Sequence, residues 1–216
     1  MESNIQLYEK ESRMFQPARH FHLCMEEMKG VSQHGADIAE KWLDVFTRIL
    51  AKEEYPVVHP IGQETFSLYA EYETGVFEYA LDIDGATSYI IKNGLKAEIF
   101  EPSRIIHAVD QGNVNTDPAR IKPNHKNPVM ILQSSLLTNG KPYCINGNHR
   151  LTEAYKSGYQ HIQVYVFREM EVVPLFYDTL SKAAYFLEID RRQIAGDLPA
   201  GKNGKSPMVN YFLGKS

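Results

Sequence analysis

Apolar residues recur at helical spacing near the N-terminus and shift towards alternation further on. Phe21, Cys24, Met25 and Met28 fall on one helical face, and Gly30 is a plausible stop. Over residues 35–54, Ile38, Trp42, Val45, Phe46, Ile49 and Leu50 trace an apolar stripe opposite Glu40, Lys41, Asp44 and Lys52. That pattern predicts an amphipathic core helix ended by Pro56. From residue 63 to 101 the period moves towards two. Val76-Phe77-Glu78-Tyr79-Ala80-Leu81 and Ser88-Tyr89-Ile90-Ile91-Lys92 read as strands, separated by a turn at residues 82–85. Asn93-Gly94 then reads as a hairpin turn before a strand over residues 96–100. The expectation is an antiparallel meander, with residues 63–72 open to either strand or helix.

The next stretch, residues 110–127, is rich in Asn, Asp, Pro and Gly and has no periodicity, so a long loop is expected. Val129-Met130-Ile131-Leu132 predicts a short buried strand, residues 137–142 a turn, and Tyr143-Cys144-Ile145 a second strand. A helix over residues 151–157 capped by Gly158 follows, then a strand over residues 162–167. The expected class is α+β. It consists of an N-terminal helical and antiparallel region (1–100), a mixed α/β core (101–168) and a helical C-terminal tail (169–216).

Composition narrows the function classes. The 216 residues are 43% hydrophobic and 23% charged, ordinary for a globular chain. A net charge of −4 leaves no global positive field for indiscriminate nucleic-acid binding. No apolar run approaches membrane-spanning length, and the first residues lack a basic and apolar leader pattern. Cys24 and Cys144 are far apart and read as small buried residues. A cytoplasmic protein without membrane contact is expected.

The densest chemistry lies where the second strand of the core meets its helix. A glycine between strand and helix leaves backbone N–H groups at the positive end of a helix dipole. Arg150 in the same turn can add a forked grip on phosphate. Gly147, Asn148, His149 and Arg150 are therefore the candidate anion-binding residues. Asp110 and Asp117, in the loop before the core, are the candidate acids for Mg²⁺ or for positioning a nucleophile. The competing account of that loop is an Asx-turn with Asp117 capping a turn at Pro118.

Asn127-Pro128-Val129-Met130-Ile131-Leu132, then Tyr143-Cys144-Ile145-Asn146-Gly147-Asn148-His149-Arg150-Leu151, Gly158 and Ile162-Gln163-Val164-Tyr165-Val166 resemble the ParB/sulfiredoxin superfamily core. The likeness spans residues 103–167. Members share a strand, a G-x-x-R turn, a short helix ending in glycine and a further strand. The turn binds nucleotide phosphates, of CTP, ATP or ADP according to branch. The resemblance implies a nucleotide-binding protein (ATP, ADP or CTP with Mg²⁺), performing phosphoryl transfer or nucleotide hydrolysis. Sulfiredoxins carry a cysteine two residues before the motif arginine, where this chain has Asn148, so sulfinic-acid repair is not expected. The serine-kinase branch has an aspartate before the glycine, where this chain has Asn146. The partition branch has G-E-R-R followed by a helix-turn-helix.

Two further classes remain open. A DNA-associated ParB-like protein or nuclease would use the faint helix-turn-helix rhythm of residues 180–194 and a basic stripe reaching Arg191 and Arg192. A non-catalytic partner-binding module would expose aromatics around Tyr69, Tyr72 and Tyr79. Other motif-like runs are set aside. His20 and His22 read as surface histidines without a third ligand, and Asp82-x-Asp84-Gly85 lacks the closing glutamate of a calcium loop. Pro199 stands where a P-loop at residues 199–206 needs glycine.

Overall fold

The structure is a computed structural model that describes residues 15–110, 127–196 and 207–214. In chain order the elements are α1 (Pro17–Val31), α2 (Gln33–Leu50), β1 (Thr65–Tyr72), β2 (Gly75–Asp82) and α3 (Ile83–Asn93). They continue with β3 (Glu98–Phe100), α4 (Pro102–Ile105), β4 (Met130–Gln133), β5 (Tyr143–Asn146) and α5 (Asn148–Lys156). The last are β6 (Ile162–Arg168), α6 (Thr179–Ala195) and α7 (Asn210–Leu213). This is an α+β chain, as its periodicity predicts. No helix among the described residues is long and apolar enough to cross a membrane.

The chain forms two compact units that do not follow the expected three consecutive segments. Among the described residues, those within 1–59, 67–80 and 176–216 form one unit, and those within 60–66 and 81–175 form the other. The C-terminal tail therefore joins the N-terminal helices.

In the first unit, Ser32 starts α2 by accepting the Gly35 N–H at 3.0 Å. The helix buries Ile38, Trp42, Val45, Phe46 and Ile49, the stripe read from the sequence. Aromatic rings fill this core. Phe21 stacks on Phe46 with centroids 4.0 Å apart, and Tyr55 lies parallel to Phe77 at 5.3 Å. Tyr79 is buried here and its hydroxyl lies 3.4 Å from that of Tyr72, so Tyr79 belongs to an internal cluster and not to an exposed patch. His20 is also internal, correcting its expected surface position. Its Nδ1 lies 2.8 Å from Thr74 Oγ1, and burial lowers its pKa to about 4. Residues 180–194 lie within the single helix α6, capped by Asp178 and by left-handed Gly196, so no helix-turn-helix forms there. Arg191 and Arg192 are engaged by Glu188, and Arg191 also by Glu27.

In the second unit the sheet runs β3-β6-β4-β5. β6 lies antiparallel to β3 and parallel to β4, while β5 is antiparallel to β4. Ile105, Val109, Val129, Ile131, Cys144, Leu151 and Val164 share its core. The expected third strand of the meander is instead the helix α3. Asp82 caps it through Gly85 N at 2.7 Å, and Ile83, Ala86 and Ile90 form a buried helical face. Gly94, with φ 58°, ends it in a left-handed cap. Asn93-Gly94 is thus a helix stop, because a glycine at positive φ serves either ending. Residues 96–100 contribute β3, which pairs with β6 and not across a hairpin.

Candidate functional site

β5 carries the chain to Asn146, whose buried amide donates to the Pro128 carbonyl at 2.9 Å and ties β5 to the start of β4. Gly147 follows with φ 88°, and α5 begins at once. A β-carbon at Gly147 would lie 2.9 Å from Val129 Cγ2 and 3.0 Å from Arg150 Nη2. Backbone conformation and contact with Val129 and Arg150 thus both require glycine. No side chain caps this end of α5, and the Leu151 N–H reaches the Gly147 carbonyl at 3.0 Å. The helix starts one turn earlier than its apolar pattern implies, because residues 148–150 are polar and only Leu151 and Ala154 mark the buried stripe.

The four candidate binding residues play different parts. Gly147 makes the turn. Asn148 is buried, its Nδ2 donating to the Cys144 carbonyl at 3.3 Å and its Oδ1 accepting the Asp110 N–H at 3.1 Å. Its side chain therefore fastens the segment after α4 to the turn, leaving only its backbone to face a ligand. His149 is half-buried in the first turn. Arg150 is half-buried, and its Nη2 is closed off from solvent with no hydrogen-bond acceptor among the described residues. Burial lowers the Arg150 pKa, partly opposed by the nearby Glu64 carboxylate. Leaving a desolvated guanidinium nitrogen without an acceptor costs roughly 1–3 kcal/mol.

The backbone N–H of Asp110, one of the two candidate acids, reaches this turn through Asn148. Tyr143 donates its hydroxyl to Asp110 Oδ2 at 2.6 Å, so β5 holds the carboxylate while Asn148 holds the backbone. Asp117, the other candidate acid, lies outside the described residues.

Glu64, Asp84 and Asn127 were not singled out as site residues from the sequence. Asn127 Nδ2 donates to Glu64 Oε2 at 2.7 Å and to Asp84 Oδ1 at 3.1 Å, while the Glu64 N–H donates to Asp84 Oδ2 at 2.7 Å. No spacing rule joins positions so far apart. The one local cue is that Asn127 precedes Pro128, whose carbonyl takes the Asn146 amide. Among the described residues no group of three or more His, Cys, Asp or Glu is placed to hold a metal ion. Cys144 is fully buried in β5 and burial pushes its thiol up to about 12, so it is an inert core residue.

The arrangement can receive an anion. A helix N-terminus and an arginine with an unsatisfied buried donor share one turn, and a tyrosine-held carboxylate belongs to the segment that Asn148 fastens to it. Comparison with models of known protein families, with characterised proteins and with solved structures returned no match.

Proposed function

We propose that the turn of residues 147–150 binds the phosphates of a nucleotide, and that the protein performs phosphoryl transfer or nucleotide hydrolysis there. One observation carries the reading: the buried Arg150 Nη2 has no acceptor among the described residues. A phosphate oxygen is the acceptor that both a guanidinium and a helix N-terminus favour. The likeness of residues 103–167 to the ParB/sulfiredoxin superfamily core supports the same ligand class.

Phosphoryl transfer is mostly positioning and charge neutralisation, and the residues have matching parts. The α5 amides and Arg150 would grip the phosphates. Asp110, oriented by Tyr143, would serve as the protein's carboxylate for Mg²⁺ or align the attacking hydroxyl or water. Mg²⁺ typically takes only one or two carboxylates and completes its shell with water and substrate phosphate, so Asp110 fits that donor set. When bound, the ion would neutralise charge on the phosphate oxygens.

The test is thermal unfolding of wild type and Arg150→Ala with ATP, ADP, CTP, GTP or inorganic phosphate, each with and without Mg²⁺. The expected result is a stabilising shift for one nucleotide that disappears in the variant, followed by detectable turnover. An equal shift in wild type and variant would remove Arg150 from the site, and no shift with any compound would sink the reading.

A further inference from the structure

The first unit contains a second buried charge, independent of the phosphate turn and differently matched. Asp190 on α6 is 1% exposed, and its carboxylate takes three N–H donors. Trp42 Nε1 lies 2.9 Å from Oδ2, Met208 N 2.7 Å from Oδ1 and Val209 N 3.0 Å from Oδ2. Two of the three are successive backbone amides of residues 207–214, a segment separated in sequence from the end of α6. Val209 is fully buried there, and the remaining residues of the segment keep some contact with solvent. Phe212 lies 5.7 Å from the Trp42 ring and 5.8 Å from Phe186, while Tyr211 meets Phe186 at 5.1 Å and stays 43% exposed.

This is the chemistry of peptide docking: backbone amides on a fixed acceptor, one aliphatic plug and one aromatic edge. Burying an ion costs several kcal/mol before its partners offset it, and two of the three partners of Asp190 come from residues 207–214. Burial pulls the Asp190 carboxyl up and the three N–H donors pull it down, with burial the larger influence. Withdrawal of residues 207–214 would return water to the carboxylate and keep the Trp42 hydrogen bond. Both arrangements therefore leave Asp190 solvated by something, which is the condition for a two-state element.

We propose that residues 207–214 form a detachable strap, and that the groove beneath it, walled by Trp42 and Phe186 with Asp190 as acceptor, is a peptide-docking site whose resident occupant is this segment. Its specificity is for two successive backbone N–H groups followed by an aliphatic and then an aromatic side chain.

The full chain supplies its own probe, because Trp42 is the only tryptophan. Val209→Ser should release the strap. Trp42 emission should then shift to the red and become quenchable by acrylamide, while the cooperative unfolding transition persists. A synthetic peptide of residues 207–214 should reverse both changes in Val209→Ser but not in Val209→Ser/Asp190→Ala. A Val209→Ser protein with Trp42 still shielded, or one that the peptide fails to restore, overturns the proposal. If Val209→Ser does not fold, hydrogen exchange in the wild type decides. The Met208 and Val209 amides should exchange at least ~100-fold faster than the slowest amides of α2 and α6, as local opening requires. Equal protection would make the segment permanent core and end the proposal.

Discussion

Arg150 and Asp190 are both charged groups with buried atoms, yet their surroundings differ in kind. Asp190 receives three N–H donors from its own chain, whereas Arg150 Nη2 has no acceptor among the described residues. Evolution of a fold tolerates a matched buried charge as an anchor. An unmatched one lowers stability and is retained where something outside the chain completes it. The contrast separates a charge matched by the chain's own donors from one that, on the proposed function, a phosphate would match.

The largest effect should come from removing the matched charge. Asp190→Ala strands the Trp42, Met208 and Val209 N–H groups and should cost roughly 3–5 kcal/mol in a denaturant titration. A loss under about 1 kcal/mol would mean that Asp190 is no anchor.

Next comes a buried group matched only while neutral. His20 has its pKa lowered to about 4 from 6.5, chiefly by burial, with Thr74 on Nδ1. The unfolded chain therefore binds this proton before the folded one does. Stability is retained above roughly pH 6.5 and lost as pH falls towards 4, by up to about 3 kcal/mol. Unfolding followed from pH 7 to pH 4.5 should show that slope, and His20→Gln should flatten it. An unchanged slope would place the titration elsewhere.

The smallest effect has the opposite sign. Arg150→Met keeps most of the side-chain volume and removes the unsatisfied nitrogen, so ligand-free stability should hold or rise by up to about 1 kcal/mol. A clear loss in ligand-free melting would show Arg150 to be as structural as Asp190.

Much of the frame was legible because it rests on near neighbours in sequence. The stripe from Ile38 to Ile49 forms the buried face of α2, and the strands flanking Gly147 lie where short apolar runs and turn residues put them. The failure at residues 82–94 is equally local in origin. Asp82, Gly85 and Asn93-Gly94 suit a turn and a hairpin as well as a helix cap and stop, and packing of Ile83, Ala86 and Ile90 chose the helix. Asn148 shows the limit within the site itself. Its place in the motif suggested a ligand contact, but the Asp110 amide and Cys144 carbonyl claim its side chain.

By itself, then, the sequence determined the α+β class, the amphipathic helices and the glycine turn that opens α5, since each follows from steric and burial preferences over a few residues. Tertiary structure decided which charges are matched. Asp190 meets Trp42 from 148 positions away, and Asn127 joins Glu64 and Asp84 from 63 and 43. Hydrogen-bond partners at such separations leave no periodic trace, because only the folded chain brings a donor to its acceptor.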